Sequence, residues 1–128
     1  MFTEAMLNLY TQDLPRAVGF YRDLIGFEQT YRFPADGAPR LVELRLGPSR
    51  LAISDHAALA ETAPLVLTPG HQHELVLWCG DVDAAIAQLR GAGCPILVEP
   101  YDHVASHRRA YVGDPDGNWV ALVSESSS

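Results

Sequence analysis

The sequence predicts an α+β fold made of two tandem βαβββ modules, with curved mixed sheets and an open concave face that forms a pocket. Three observations carry this. The order strand, helix, strand, strand, strand is legible twice along 128 residues. Two helix-capping aspartates, Asp13 and Asp81, stand 68 positions apart, and the apolar stripes behind them superpose at that shift, Leu14 on Val82, Ala17 on Ala85 and Val18 on Ile86. Self-similarity at a fixed offset is what an internal duplication leaves. Each module also has one helix for four strands, so one face of its sheet stays open until a second module, a second chain or a ligand covers it.

Residues 5–12, AMLNLYTQ, alternate as a half-buried strand does. Asp13 reads as an N-cap with Pro15 tolerated in the first turn. Leu14, Ala17, Val18, Tyr21, Leu24 and Ile25 then form one apolar helical stripe that Gly26 ends. Strand-like runs follow at 27–33, 40–46 and 49–54, separated by the turns PADG and GPS. Residues 56–72, HAALAETAPLVLTPGHQ, read as a linker whose Ala-rich start favours a short helical turn. HELVLWCG, from residue 73, is a strand; Asp81 caps a helix with a stripe of Val82, Ala85, Ile86 and Leu89; GAG stops it. Strands follow near 95–99, 107–113 and 118–124. The expected organisation is a first module at 1–55, a linker at 56–72, a second module at 73–124 and a disordered tail at 125–128.

Hydrophobic content of 48% and charged content of 20% fit an ordinary globular chain. The net charge of −7 argues against a nucleic-acid partner, which would want a basic face, and favours neutral or cationic ligands. Cys79 and Cys94 are too few for a disulfide framework and sit among apolar residues, so they read as buried reduced thiols of a cytoplasmic protein. No charged-then-apolar leader opens the chain and no apolar run approaches membrane length, so no membrane partner is expected. There is no serine-centred elbow and no cysteine with a neighbouring base in sequence. GDPDG is a turn rather than a phosphate cradle, because it lacks the strand, glycine loop and helix context. No catalytic residue is assigned.

The paired βαβββ units, the segment DLPRAVGFYRDLIGFE and the final DPDGNWVALV resemble the vicinal oxygen chelate superfamily. That group holds glyoxalase I, fosfomycin-resistance thiol transferases, extradiol dioxygenases, methylmalonyl-CoA epimerase and the bleomycin-resistance binding proteins. The resemblance covers nearly the whole chain, and its motifs specify the fold rather than a chemistry. In metal-dependent members it implies ligands on the first and last strand of each module. The first-strand ligand stands seven residues before the capping aspartate, which gives Met6 and Glu74. The last-strand ligand is the glutamate after GNxx, a position taken by Ala121, with Ala52 as its counterpart when SRLAI is aligned with NWVAL. A divalent ion wants three or four nitrogen or oxygen donors converging on one point. One carboxylate and a soft thioether do not supply them, so no metal and no cofactor is expected. His71, His73, His103 and His107 are read as solvated residues of loops and strand ends, and His73 has the opposite parity to Glu74.

Strand parity says what lines the open face. Asn8 and Tyr10 go with Met6, while Leu7 and Leu9 go to the helix; Val76 and Trp78 go with Glu74; Trp119 and Val123 go with Ala121. Tyr111 shares parity with Arg109 and His107, and the resemblance to fosfomycin-type relatives turns position 111 toward the substrate. Phe33 and Tyr31, on the first module's hairpin, reach over the mouth. The candidate ligand-binding residues are therefore Met6, Asn8, Tyr10, Phe33, Ala52, Glu74, Trp78, His107, Arg109, Tyr111, Trp119 and Ala121. Rings around a cavity suit a planar or conjugated ligand, with large contact area at little rotamer entropy. Arg109 would donate to a ligand carbonyl, phenolate or carboxylate. Glu74 would accept from an amine or hydroxyl or, if apolar walls raise its pKa, serve as a general base.

The expected function is metal-independent binding and sequestration of a small aromatic or planar natural product. By resemblance to the bleomycin-resistance type, this implies a role in antibiotic resistance and a homodimer whose modules pair. Such relatives often carry a tryptophan just before the penultimate strand. Ser106 and His107 stand there, which points to a natural product other than bleomycin. The alternative is a small-molecule enzyme: a metal-free isomerase or cyclase using Glu74 with Tyr111 or His107, ahead of a metal-dependent lyase, dioxygenase or thiol transferase.

Overall fold

Asp13 and Asp81 both start helices. Asp13 Oδ1 accepts the backbone N–H of Arg16 at 3.1 Å and Asp81 Oδ1 that of Ala84 at 3.1 Å. Each satisfies one of the donors that a helix start leaves unpaired. Around these caps the computed structural model describes residues 1–103 and 106–126. One compact unit, Met1–Pro69, holds β1 (Leu7–Thr11), α1 (Leu14–Val18), a π-helical segment (Gly19–Ile25), β2 (Glu28–Phe33), β3 (Leu41–Leu46), β4 (Ser49–Asp55) and α2 (Ala57–Thr62). The other, Gly70–Ser128, holds β5 (Glu74–Trp78), α3 (Val82–Gly91), β6 (Ile96–His103), β7 (His107–Gly113) and β8 (Trp119–Glu125). Among the described residues no helix is long and apolar enough to cross a membrane.

The two units repeat one topology. The sheets run β1-β4-β3-β2 and β5-β8-β7-β6, each with one parallel pair, β1 with β4 and β5 with β8, and antiparallel pairs elsewhere. The fold is therefore α+β with two mixed sheets. In the first unit Val42, Leu44, Leu51 and Ile53 are buried together with Leu14, Ala17, Val18 and Tyr21 of the helix. In the second, Ala110, Val112, Val120 and Leu122 are buried with Val82, Ile86 and Leu89. Removing each of the valine, leucine and isoleucine side chains among them from water stabilises by roughly 1.5–3 kcal/mol. The Ala-rich start of the linker forms α2, which buries none of its residues.

The first helix does not stay α-helical to its end. After Val18 the turn widens, and the N–H groups of Gly26 and Phe27 both reach the Tyr21 carbonyl, at 3.1 and 2.9 Å. The wider turn allows the neighbours Phe20 and Tyr21 both to be buried, edge to face at 4.9 Å and 87°, while Leu24 and Ile25 are only half-buried. Gly26 closes the segment at φ 109°, a left-handed conformation that a Cβ disfavours.

Two further details position side chains. β6 is longer than the run at 95–99, and its pairing with β7 slips twice: Ile96 faces Val112, Val98 faces Tyr111 and Tyr101 faces Arg109. Each slip is a bulge that reverses the parity downstream of it. Before β8, the buried Asp114 carboxylate accepts the N–H groups of Asp116 and Asn118 at 2.9 and 2.8 Å and the Asn118 amide at 2.8 Å. DPDGN is thus a self-bonded turn that launches the strand. At the far end, Glu125 is the last residue of β8, opposite His107, and Ser126 N–H donates to Ser106 O at 2.7 Å. Ser127 and Ser128, part of the expected tail, lie outside the described residues.

Candidate ligand-binding site

Cross-strand register sorts the candidate side chains, because directly opposed residues share a face. In the second unit Glu74 opposes Trp119, Val76 opposes Ala121 and Trp78 opposes Val123. Ala121 and Val123 in turn oppose Tyr111 and Arg109. These residues occupy the face away from α3. In the first unit Asn8 opposes Ala52 and Tyr10 opposes Ser54, while Ser54 opposes Leu41 and Leu41 opposes Phe33.

The first unit's open face holds a cavity of about 350 Å³, bordered by Met6, Asn8, Tyr10, Phe33 and Ala52. Ser54 lies beside them and donates to Asn8 Oδ1 at 2.9 Å. Arg40 and Glu61 pair at 2.5 Å, and Leu59, Glu61 and Thr62 bring α2 to the rim. Tyr31 is exposed and does not border this cavity. Farther along the same face Arg50 pairs with Glu4 at 2.6 Å and with Glu43 at 3.0 Å.

The second unit's open face holds a cavity of about 340 Å³ bordered by Glu74, Leu97, Val98, Tyr111 and Trp119. Arg109 Nη1 donates to the Tyr111 hydroxyl at 2.9 Å and lies 3.7 Å from Glu74 Oε1. The hydrogen bond to Tyr111, with Glu74 beyond it, pushes the Arg109 pKa further up against the opposing effect of partial burial, so Arg109 is a permanent cation. Its Nε is buried with no hydrogen-bond partner among the described residues. Trp78 is 63% exposed and does not border this cavity; it meets His107 edge to face at 5.1 Å. Ala121 is fully buried between its neighbours.

The twelve candidates therefore fall into groups. Met6, Asn8, Tyr10, Phe33 and Ala52 border one cavity, and Glu74, Tyr111 and Trp119 the other. Arg109 is one hydrogen bond from the second cavity, Ala121 lies between Val76 and Tyr111 in the register, and Trp78 and His107 form a separate pair. Sequence reasoning missed Leu97 and Val98, which the bulge in β6 turns toward the cavity. It also missed His71. Instead of being solvated alone, this imidazole lies flat on Trp119, with centroids 4.5 Å apart and planes 5° apart, and its Nε2 bonds Gly117 O at 3.0 Å. No periodicity links His71 to Trp119; only the chain path brings them together. Cys79 and Cys94 are free and half-buried rather than buried, and burial pushes both thiols up, with Asp114 adding to the effect at Cys94.

The positions where metal-dependent relatives are expected to carry ligands hold Met6, Ala52, Glu74 and Ala121. Their one carboxylate already faces the Arg109 cation. That donor set does not fit a divalent ion. Among the described residues no three His, Cys, Asp or Glu side chains gather into a possible metal cluster.

Fold and repeat define the class. The profile of the Glyoxalase/Bleomycin resistance protein/Dioxygenase superfamily matches residues 5–122, and the chain belongs to that superfamily. Its structure is similar to that of a glyoxalase/bleomycin resistance protein/dioxygenase from Nocardioides, with TM-score 0.79 and 22% identity over 100% of this chain and 86% of that one. It is similar to TnmS3, an antibiotic binding protein from Streptomyces sp. CB03234, with TM-score 0.74 and 22% identity over 98% of both chains. It is also similar to lactoylglutathione lyase from Agrobacterium tumefaciens, with TM-score 0.72 and 23% identity over 95% of this chain and 92% of that one. At such identities the likeness is one of fold. No curated protein matches the sequence.

Proposed function

We propose that this protein binds a planar aromatic small molecule and releases it unchanged, without a metal or other cofactor, in the manner of a drug-sequestering resistance protein. The observation that carries the reading is the second unit's open face, where an apolar-walled cavity presents Trp119 and Tyr111 while the expected chelate positions offer a single carboxylate. Aromatic faces supply contact area to a flat ligand. The fold likeness to an antibiotic binding protein agrees with this but does not carry it. Residue by residue, Trp119 and Tyr111 stack, and Glu74 and Arg109 bond polar edges; in the first unit Met6, Asn8, Tyr10, Phe33 and Ala52 border that unit's own cavity, which offers a ligand contact of the same kind. The protein works as a homodimer, as its resemblance to the resistance proteins implies.

The test is native mass spectrometry of the protein after exposure to an extract of its source organism, with the retained compound then recovered and compared with its input. Binding of a flat compound recovered intact supports the reading. A recovered compound of altered structure makes the protein an enzyme, with Glu74 as the first group to examine. Zinc or manganese that stays with the protein through gel filtration and raises its melting temperature contradicts the metal-free part.

A further inference from the structure

We propose that the second unit's cavity selects one kind of molecular edge: a neutral, planar ring system bearing a hydrogen-bond donor and an acceptor side by side, as a cyclic amide does. Glu74 takes the donor and Arg109 serves the acceptor. The inference rests on the stacking role proposed above and narrows it to a ligand class.

Glu74 and Arg109 are complementary in function, since a carboxylate only accepts and a guanidinium only donates. Their 3.7 Å separation lets the charges attract without closing into a hydrogen bond. Both keep unused capacity. The Glu74 carboxylate has no hydrogen-bond partner among the described residues, and Arg109, whose Nε is sealed from solvent, keeps another part of its side chain open. The guanidinium is nonetheless held in place: Nη1 is fixed on Tyr111 Oη at 2.9 Å, and one fifth of the Arg109 side chain, 20%, remains exposed.

The sign of the ligand's charge follows from the pair. An anion would meet Glu74 and a cation would meet Arg109, so a neutral molecule with a dipolar edge meets no repulsion. Leu97 and Val98 give the cavity an apolar wall against which a flat ring packs. Trp119 and Tyr111 supply ring faces, and the His71 stack fixes the indole plane.

The test is isothermal titration calorimetry of the wild-type protein with four probes of matched ring size. These are 2-quinolone, which has adjacent N–H and C=O; N-methyl-2-quinolone, which lacks the donor; quinoline, which lacks donor and carbonyl; and quinoline-2-carboxylate, which is anionic. The expected result is that 2-quinolone binds at least about tenfold more tightly than the other three, the size of effect that one hydrogen bond to a charged group gives. Arg109→Met and Glu74→Leu, checked for folding by circular dichroism, should each bring that preference to within about twofold. Equal binding of the three neutral probes overturns the edge selectivity and leaves the stacking site standing. Tightest binding of the carboxylate overturns the neutral-ligand class. Binding of none overturns the stacking site and the inference together. Should either variant not fold, the wild-type comparison alone still decides.

Discussion

His71 and Asp81 show what single residues do here, and how differently they announce themselves. Asp81 is legible: an aspartate directly before a helical stripe is an N-cap, and the bond from Ala84 N–H to its carboxylate follows. Asp81→Ala should lower stability by about 1 kcal/mol, read as a fall in the urea midpoint with unchanged slope. His71 is not legible, because Gly117, which its ring bonds, lies 46 residues away, next but one to the stacked Trp119, and no local pattern couples them. Its effect is nonetheless specific. In a Trp78→Phe background, where the remaining indole is Trp119, His71→Ala should shift the emission to longer wavelength. The stack it removes is worth about 0.5–1.5 kcal/mol on the scale of aromatic pairs. An unchanged spectrum would mean that the ring contact does not order Trp119. Glu74 and Arg109 lie between these cases. Parity put them on one face, but only their 3.7 Å separation makes them a pair.

At the scale of elements, period explains both what was readable and what was not. Strands β1, β4, β5 and β8 pair without a register slip, so the faces of Asn8, Ala52, Val76 and Ala121 follow from counting by two. Counting fails in β6, where the extra residues place Leu97 and Val98 together beside one cavity. It fails again after Val18, where a stripe written for 3.6 residues per turn becomes a π-helical segment that buries Phe20 next to Tyr21. That segment ends on Gly26 at φ 109°, and a Cβ built there meets nothing within 4 Å. Gly26→Ala is therefore a test of backbone strain without crowding. It should cost about 1 kcal/mol or somewhat more by chemical denaturation, whereas Gly91→Ala, at the last residue of α3, should be neutral or stabilising.

At the scale of the whole molecule, the duplication was the most legible feature and the chemistry the least. Two capping aspartates and two stripes suffice to write out two βαβββ units. The family's fold serves many reactions and none, so the function has to be argued from side chains that differ between the units. The thiols give a property that spans both ends of α3. Burial raises the pKa of Cys79 and Cys94. An acid whose folded pKa is raised favours the native state below the unfolded pKa and loses that contribution as pH climbs through the folded value. The native protein should thus react with an aromatic disulfide more slowly at pH 8 than the same protein in denaturant, and its melting temperature should decline as the thiols ionise. Equal rates in both conditions would contradict the burial.

Ala52 and Ala121 stand at matching stations of the two repeats, and both are fully buried. A methyl group is too short to tell one guest from another. The proposed binding role then leaves discrimination to the margins: to Phe33 and Arg40 in one repeat, and to Glu74, Val98 and Trp119 in the other. Except at Arg40, which is half-buried, those margins are exposed, so they contribute little to holding the sheets together. On the proposed binding role, a lineage exchanges cargo by editing its rims while the foundations stay as they are.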